Sequence, residues 1–487
     1  MKKISYLRLS AYFIVLVSSI IMAACGGGGG SSDVVQDEGW VSQFGSTMWD
    51  LPTVIAVHGE YVYIAGLTEG DLDGYINQGY EDVFLCKYDV LGNLLWTVTL
   101  GSSDSDNVTA MAVDSSGNIY LAGGTSGFLP YVQLGSDYGN SDIFLIKYDS
   151  NGNFIWGWQT GTTSNDEASH IALDGSGGVY IAGMTEGSMD TNINQGVTDI
   201  FIMKFDTDGN LHWTRSWGSL GYDEVNGLLC NGGYVYIIGR CGLNDDYYFT
   251  RFDGAGTASW LPTPYSTWDG PSVDYIKGIA ADGNGNIYLA GNTNGGWGDG
   301  YLNAGGFDMF VVKYGGGDIN NWLWTRLWGS TGDESVVSLV VTIDGDIYIA
   351  GATTGVLDGN ANQGSNDVFL VKYNTSGDRL WTRTLGSSRD DLANALALDE
   401  SGNVYIAGRT YGTLEGVTNQ GFWDVFGGRY SSSGERLWLD VLGSSGREEI
   451  MGIAVDGNNL YAVGYTDGEL DGTNAGDYDI FLTTYAP

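Results

Sequence analysis

One short phrase recurs eight times along this chain of 487 residues, and it limits the available folds more than any other feature. In one copy it reads "NQGSNDVFLVKY" (362–373), an Asp followed by strand-like residues. The opening acids are Asp82, Asp142, Asp199, Asp246, Asp308, Asp367, Asp424 and Asp479. The Tyr of a second phrase, "YIAG", recurs at intervals of 57, 60, 56, 52, 60, 57 and 56 residues. Repetition at this period indicates one structural unit used again and again.

The repeated unit contains four strand-like segments. In one copy these are "RLWTRTLG" (379–386), "ANALALD" (393–399), "NVYIAGRT" (403–410) and "DVFGGRY" (424–430). Turn sequences such as "DSSGN" separate them, and Asn and Gly tolerate the positive φ angles that tight turns need. Four antiparallel strands in repetition are typical of the blades of a β-propeller, while a linear β-solenoid or a string of small domains is the alternative.

The count of one strand favours the closed ring. Its Trp occurs seven times, from Trp96 to Trp438, whereas the other strands occur eight times. The missing copy lies at the other end of the chain, where "GWVSQFGS" with Trp40 matches "LWTRTLGS". We therefore predict an all-β fold over residues 39–487. It is an eight-bladed β-propeller of four-stranded antiparallel blades, and the N-terminal strand closes the last blade and removes a free sheet edge.

Two repeated side chains are predicted to belong to the framework of the fold. The strand "DVFLVKY" alternates apolar groups on both faces, as expected for a blade packed between two neighbours. Its basic position is filled in seven copies, by Lys87, Lys147, Lys204, Arg251, Lys313, Lys372 and Arg429. We interpret these as structural ion pairs or hydrogen bonds rather than a ring of ligand-binding lysines. The repeated Trp is interpreted as packing between blades rather than a sugar platform.

The N-terminus reads as an export signal. Residues 1–24 combine a basic start with the apolar run "AYFIVLVSSIIM", and "MAAC" ends in Cys25. This pattern resembles the lipobox of bacterial lipoproteins, which implies acylation of Cys25; a plain signal peptide with an incidental Cys is the alternative. Residues 25–38 would then be the lipidated Cys and a Gly/Ser-rich tether. We expect an exported protein anchored to the cell envelope, at the outer membrane in a Gram-negative organism, on its periplasmic or cell-surface side.

The phrases "DxFLxKYDxxGNLLW" and "DxxGNxYxAGxT" resemble the bacterial β-propeller repeat family called SBBP. The resemblance covers nearly the whole mature chain and implies the propeller fold, but it says little about activity. The family is often labelled seven-bladed, whereas eight units are counted here. The "YDxxGNLLW" turns are also similar to those of quinoprotein dehydrogenases and of outer-membrane assembly lipoproteins. The quinoprotein repeat is shorter, however, and no adjacent cysteine pair occurs in this sequence.

Charge narrows the range of partners. Without the signal, 17 basic residues face 59 acidic ones, a net charge of −42. Such a surface repels nucleic acid and anionic lipid, so we expect contact with the membrane through the lipid anchor alone. It suits cations, basic partners or simple solubility, and we expect a monomer. The remaining cysteines, Cys86, Cys230 and Cys241, are not expected to form a structural disulfide.

Acidic loops make calcium a candidate ligand, although no cofactor is certain. The loops that follow the "YIAG" strands hold oxygen-bearing side chains with interspersed Gly, which can coordinate Ca²⁺. They match neither the EF-hand nor the nonapeptide calcium pattern. Turn capping by these side chains is the alternative interpretation. The candidate ligands are Asp71, Asp73, Asn77, Asp299, Asp358 and Asp471.

One region departs from the repeat and is the candidate partner site. In the fourth unit only "RCGLND" separates Gly239 from Asp246, and the next connector is the long "LPTPYSTWDGPSVDYIKG" (261–278). It holds three of the six prolines and offers Tyr265, Trp268 and Tyr275 to a protein, peptide or glycan. A degenerate unit patched by an insertion is the alternative. "GFLPYVQLGSDYGN" (127–140) is a second, weaker irregularity.

Catalysis finds little support in the sequence. The three histidines, His58, His170 and His212, occupy three different units and three different repeat positions. No nucleophile elbow or phosphate loop is present in the sequence. We therefore favour a non-catalytic binding or scaffold module. The alternatives are an enzyme acting on polysaccharide or a small substrate in the ring centre, quinoprotein-like or glycan-active, and a passive cell-surface structural protein.

Overall fold

The computed structural model describes residues 39–135, 139–189, 191–242, 246–260, 273–296 and 302–485. These residues form eight antiparallel sheets of four strands each, one of which gains a short extra strand. The predicted eight-bladed β-propeller is confirmed. Within the described ranges there is no helix with the length and apolar character that a membrane crossing requires.

Each blade begins with an inner strand that lines the central channel. The inner strands are β2 (Asp50–His58), β6 (Asp106–Val113), β11 (Asp166–Leu173), β15 (Glu224–Asn231), β19 (Asp274–Ala281), β23 (Glu334–Val341), β27 (Asp391–Leu398) and β31 (Glu448–Asp456). Consecutive inner strands contact each other, and β31 contacts β2, so the ring is closed.

The next two strands of each blade carry its buried core. The second strands are β3 (Tyr61–Thr68), β7 (Ile119–Thr125), β12 (Gly178–Thr185), β16 (Tyr234–Cys241), β20 (Ile287–Thr293), β24 (Ile347–Thr353), β28 (Val404–Thr410) and β32 (Asn459–Thr466). The third strands are β4 (Asp82–Asp89), β9 (Asp142–Tyr148), β13 (Asp199–Asp206), β17 (Asp246–Asp253), β21 (Asp308–Tyr314), β25 (Asp367–Tyr373), β29 (Asp424–Tyr430) and β33 (Asp479–Tyr485).

The outer strands complete the blades, which we number 1 to 8 from β2. They are β5 (Leu94–Leu100), β10 (Phe154–Thr160), β14 (Leu211–Trp217), β18 (Ala258–Trp260), β22 (Trp322–Trp328), β26 (Arg379–Leu385), β30 (Arg436–Leu442) and, for blade 8, β1 (Val41–Phe44). The irregular segment of blade 2 adds β8 (Gln133–Leu134), which pairs in parallel with β10 outside the four-strand pattern.

The N-terminal strand closes the ring as predicted. Strand β1 pairs antiparallel with β33, from Val41 opposite Thr483 to Phe44 opposite Ile480. Trp40 then takes the place of the eighth repeated Trp. Its indole N–H donates to the Val90 carbonyl of blade 1 at 3.2 Å. Gly92, at φ +86°, gives it room, because a Cβ there would lie 2.7 Å from the indole ring.

Alternation along the strands puts apolar groups on both faces of every blade, and these groups pack between neighbouring blades. Val62 and Ile64 of blade 1 share one cluster with Tyr461 and Val463 of blade 8, and all four are buried. The Tyr of each "YIAG" phrase is buried as well. Burying such a face stabilises the ring by about 25 cal/mol per Å² of apolar surface.

Antiparallel order gives the ring two different ends. The inner and third strands start at one end, which carries the long loops between second and third strands and the connections between blades. We call it the loop end. The other end carries short turns between first and second and between third and outer strands, and we call it the turn end.

Candidate binding site at the loop end of the propeller

The repeated Lys and Trp side chains hold adjacent blades together near the turn end. Lys147 donates to the Thr207 carbonyl of the next blade at 2.9 Å, and the Trp156 indole donates to the same oxygen at 3.0 Å. Lys372 and Trp381 share the Ser432 carbonyl in the same way. The structural interpretation of both repeated positions is confirmed, so neither forms a ligand site.

This junction supports a first prediction. Replacing Lys147 by Met removes the charged one of the two donors to the Thr207 carbonyl and leaves only the Trp156 indole, so the free energy of unfolding should fall by about 2 kcal/mol. Arg436, an exposed basic residue of blade 7 paired with Glu415, is the matched control, and Arg436→Met should cost less than about 1 kcal/mol. Urea titration of both variants measures the difference. Equal losses would contradict the proposed role of Lys147.

The acid that begins each inner strand holds the connection from the preceding blade. Asp106 is fully buried and accepts from the Ser102 N–H at 2.6 Å and from the Thr125 hydroxyl. Burial raises its pKa to about 6, although the hydrogen bonds from Thr125 and Ser102 lower it. In blade 6, Glu334 plays the same part with Ser330 and Thr353. Buried acids of this kind are structural rather than solvated charge.

A second set of acids begins the third strands. Asp82, Asp367 and Asp424 are about 1% exposed, and each accepts a backbone N–H from the loop before it. Burial raises the pKa of all three. Each carboxylate lies against the Gly that ends the outer strand, and a Cβ at Gly101 would lie 2.1 Å from the Asp82 Oδ1. Any side chain at this Gly would therefore displace the carboxylate.

Blade 5 also carries an inner-strand acid, Asp274. The long connector before it displaces Asp274 from the spacing that the inner-strand acids of the other seven blades share. The same shift corrects the interpretation of Tyr275 as a loop residue: Tyr275 lies within β19. It is half-buried, with its ring centroid 6.0 Å from that of Tyr247 and 5.5 Å from that of Phe307. Tyr265 and Trp268 lie outside the described residues.

The calcium candidates of blade 1 serve as turn acceptors and caps. Asp71 accepts the Asn77 N–H at 2.9 Å, Asp73 accepts the Thr97 hydroxyl at 2.5 Å, and the Asn77 side chain donates to the Thr68 carbonyl. Asp73 has φ +51°, a left-handed turn conformation.

In blade 6, Asp358 accepts from Arg379 and Thr382. Asp471 is exposed, and Asp299 lies outside the described residues. No group of three or more His, Cys, Asp or Glu side chains suited to a metal ion occurs in the described part of the chain. Calcium binding by these loops stays a prediction.

The three histidines remain separate. His58 ends β2 at the turn end, and His170 is buried in β11 beside the Ser169 hydroxyl, where burial lowers its pKa to about 4. His212 lies on the outer strand of blade 3 and contacts Asp206. Cys86 and Cys230 are free thiols, and Cys241 is buried.

The loop end carries basic side chains that do not belong to the repeated contacts between blades. Ten basic residues of the propeller stand outside the repeated basic position of the third strands. Five of them lie on outer strands, and the other five are at or near the loop end: Arg240, Lys277, Arg389, Arg409 and Arg447. Three of them surround the top of blade 7, where Arg389 precedes β27, Arg409 lies near the end of β28, and Arg447 precedes β31.

Aromatic rings surround two of these arginines. The Arg409 guanidinium lies 5.4 Å from the centroid of Trp423, and that of Arg447 lies 5.5 Å from Trp423 and 5.0 Å from Phe422. Tyr411 packs against Trp423 with centroids 5.0 Å apart. We call Arg409, Tyr411, Phe422, Trp423 and Arg447 the aromatic–arginine patch.

A row of contacts continues from the patch across blade 8 to blade 1. Arg409 forms an ion pair with Glu449, and the Tyr465 hydroxyl donates to the same carboxylate at 2.7 Å. The Tyr465 ring packs edge-on against Tyr478, and Tyr478 packs edge-on against Trp49. The sequence carried part of the signal for this row. Trp423, Arg447 and Tyr465 differ from the residues at the same repeat positions of other blades, whereas Arg409 matches Arg240 and Glu449 matches Glu224.

The loop end also exposes large apolar side chains. Tyr80 is 71% exposed, Phe422 62% and Tyr222 55%. Other exposed apolar residues in the connections at this end are Met48, Tyr75, Ile76, Phe128, Tyr131, Ile193, Val197, Leu220, Leu302, Val356 and Val417. Among the described residues, the turns of the opposite end expose Leu91 and Ile343, and the strand starts at that end expose Tyr61, Leu94, Leu95, Phe154, Ile155, Leu211, Trp322, Leu323, Leu380 and Leu437. The difference is one of place: at the loop end the exposed apolar groups lie in the connections, and exposed apolar patches of this kind are typical of an interaction surface.

The repeat itself matches a known family model, described as SBBP: Beta-propeller repeat, at residues 91–128, 269–296 and 380–414. These are SBBP β-propeller repeats. The match at 380–414 runs from the outer strand of blade 6 through the second strand of blade 7. The SBBP unit therefore crosses a blade boundary.

Two proteins of similar sequence are much longer than this chain. It is 28% identical over 375 residues to the regulatory protein FlaEY of Caulobacter vibrioides, covering 68% of this chain and 39% of FlaEY. It is 22% identical over 468 residues to the WD repeat-containing protein L264 of Acanthamoeba polyphaga mimivirus, covering 79% of this chain and 31% of L264. The chain thus spans about two fifths or less of each relative.

Similar solved structures include the polysaccharide lyase Uly1, at 12% identity and a TM-score of 0.42 over 91% of both chains. A 6-phosphogluconolactonase-like protein from Bacteroides fragilis matches at 11% identity and a TM-score of 0.40, over 79% of this chain and 95% of that one. Structural similarity at this level gives no information about the ligand or the activity of this chain.

Proposed function

We propose that this chain is a lipid-anchored, extracytoplasmic β-propeller that acts as a monomeric, non-catalytic binding module. Cys25 would carry the lipid, residues 25–38 would form the tether, and the ligand-binding surface would be the loop end. The observation that carries the proposal is the concentration of exposed apolar side chains in the loop-end connections, such as Tyr80, Tyr222 and Phe422.

The distribution of repeated and variable positions supports the same surface. At the turn end, the repeated side chains form contacts between blades, as Lys147 and Trp156 do. At the loop end, the buried acids are also repeated, but the side chains above them vary among the blades. Arg447, for example, occupies the repeat position held by Trp49, Tyr222 and Asp390 in other blades. Variation on a fixed scaffold is how loops acquire binding function.

An array of glycans and peptides tests the proposal. The wild-type protein is compared with a loop-end variant, Tyr80→Ser, Tyr222→Ser and Phe422→Ser together, and with a turn-end variant, Leu91→Ser with Ile343→Ser. We expect the loop-end variant to lose at least about tenfold in affinity for the ligands found, because exposed aromatic anchors dominate such contacts. The turn-end variant should bind like the wild type. Equal loss in both variants, or loss in neither, would refute the loop end as the binding surface.

A further inference from the structure

We propose that the aromatic–arginine patch binds an acidic polysaccharide, with a uronate carboxylate on Arg447 and a sugar ring face on Phe422. This proposal rests on the proposed function, since it assigns a ligand class to part of the loop end. The patch itself uses residues of blades 7 and 8 only, all of which lie in the described range 302–485.

The exposure and the contacts of the Arg447 side chain support this proposal. It is 40% exposed, and its closest carboxylate contact places Nε 3.9 Å from Asp467 Oδ2, too far for a hydrogen bond. Its Nε is buried and makes no hydrogen bond within the described structure, so a ligand would meet the terminal Nη groups. The guanidinium is held beside Phe422 and Trp423. A stacked guanidinium keeps its in-plane N–H donors free, and these donors fit a carboxylate bidentately.

The distribution of charge over the propeller also favours an anionic ligand at this place. The sequence has a net charge of −39, so most of its surface repels anions. The top of blade 7 is the exception, because Arg389, Arg409 and Arg447 surround it. Arg409 is neutralised by Glu449, but Arg389 is exposed and Arg447 has only the distant Asp467. An anionic ligand therefore finds its most favourable approach at this blade.

The arrangement of Phe422 and Arg447 favours a uronic acid over an acidic peptide. Phe422 is 62% exposed and offers a flat apolar ring beside the Arg447 donors. A uronic acid residue carries a carboxylate and a flat ring face on one rigid unit, so it can engage both groups together. An Asp or Glu side chain has the carboxylate without the ring.

The length of the aromatic row favours a polymeric ligand. Aromatic side chains continue beyond the patch through Tyr465 and Tyr478 to Trp49, across two blade junctions. A row of rings accommodates successive units of a polymer better than a single small molecule. The inferred ligand is therefore a chain of several acidic sugar residues rather than a free monosaccharide.

Titration calorimetry with galacturonic acid oligomers of about ten units provides the test, with neutral maltodextrin and poly-glutamate of similar length as comparison probes. The wild type should bind the oligouronate, and added salt should weaken the binding. Arg447→Gln should weaken it at least about tenfold. Phe422→Ala should weaken it several-fold. Matched controls are Arg436→Gln and Phe154→Ala, which alter an exposed Arg and an exposed Phe on outer strands away from the loop end and should bind like the wild type.

The outcomes separate the ligand class from the surface. Absence of oligouronate binding, or binding that Arg447→Gln leaves unchanged, overturns the present inference. If poly-glutamate binds as tightly and is equally lost in Arg447→Gln, the uronate assignment is wrong while the loop end remains the binding surface. If the array test above also shows no dependence on loop-end residues, the proposed function fails as well.

Discussion

A protein that lacks residues 40–44 should unfold at least about 5 °C below the intact protein. The deletion removes β1, so residues Ile480–Thr483 of β33 lose their antiparallel partner. It also removes Trp40, which donates to Val90 and packs against Tyr461 with centroids 6.5 Å apart. Lost ladder hydrogen bonds and lost apolar burial together amount to about 5 kcal/mol, which corresponds to about 5 °C for a domain of this size.

Gln43 enlarges the expected effect. Its amide donates to the Gly468 carbonyl and to Asp479, and its oxygen accepts the Leu470 N–H, so it ties a loop of blade 8 to the closing strand. The deletion also leaves the edge of β33 open, and open edges pair with other chains. We therefore expect concentration-dependent association in sedimentation experiments as well as a lower midpoint.

Deletion of residues 26–30, five glycines of the predicted tether, is the matched control. It shortens the chain by the same number of residues without touching a strand, so its midpoint should equal that of the intact protein. If both deletions unfold at the same temperature by scanning calorimetry, β1 does not stabilise the ring in the way that its pairing indicates.

The second large effect should appear with pH: the unfolding midpoint should be about 5 °C higher at pH 5 than at pH 8. Burial raises the pKa of Asp106 and that of Asp199 to about 6. It also raises the pKa of Asp82, Asp367 and Asp424. An unfolded Asp titrates near 3.9, so between about pH 4 and 6 the folded state binds more protons than the unfolded state. Stability therefore falls as pH rises through this window and changes little above it.

Other carboxylates act in the opposite direction at lower pH. Hydrogen bonds from Asn210 hold the pKa of Asp206 at about 2, so stability from this turn is lost only as pH falls below about 4. The two groups of acids together place the most stable pH in the mildly acidic range.

Two substitutions separate this mechanism from the general relief of charge repulsion. Asp106→Asn should reduce the slope of unfolding free energy against pH between 4 and 6, because one raised pKa is removed. Asp206→Asn should leave that slope unchanged, because Asp206 stays ionised throughout the window. Urea titrations at several pH values give both slopes. An unchanged slope in Asp106→Asn would mean that this buried carboxyl does not titrate near pH 6.

The fold was accessible from sequence because its signal is periodic. Strand β29 occupies 424–430, the residues of the predicted "DVFGGRY" strand, and Trp40 revealed the closing strand. Framework contacts followed from recurrence, since a Lys present in almost every unit has to satisfy the same neighbour each time. Blade 5 was the exception, because its long connector shifts Asp274 and Tyr275 away from the expected spacing.

The candidate site was less accessible, because it consists of departures from the repeat. Arg409, Trp423 and Arg447 are separated in sequence and become neighbours only when blade 7 meets blade 8. Trp423 and Arg447 differ from their counterparts and Arg409 matches Arg240 of blade 4, but sequence does not show which of these positions converge. The loop acids illustrate the converse, since Asp73 and Asp358 have the composition of cation ligands and are instead bonded to Thr97 and Thr382.

The location of the closing strand also sets the orientation of the whole particle. Residue Val41 lies at the turn end, beside Trp40 and the Val90 carbonyl that Trp40 contacts, and β1 runs from there toward the loop end. With Cys25 acylated, as proposed, the anchored chain would enter the propeller at the turn end, and that end would face the lipid bilayer. The loop end is then presented away from the membrane, and any pull on a captured polymer is transmitted to the anchor through the β1–β33 ladder, which carries the load in shear along its length.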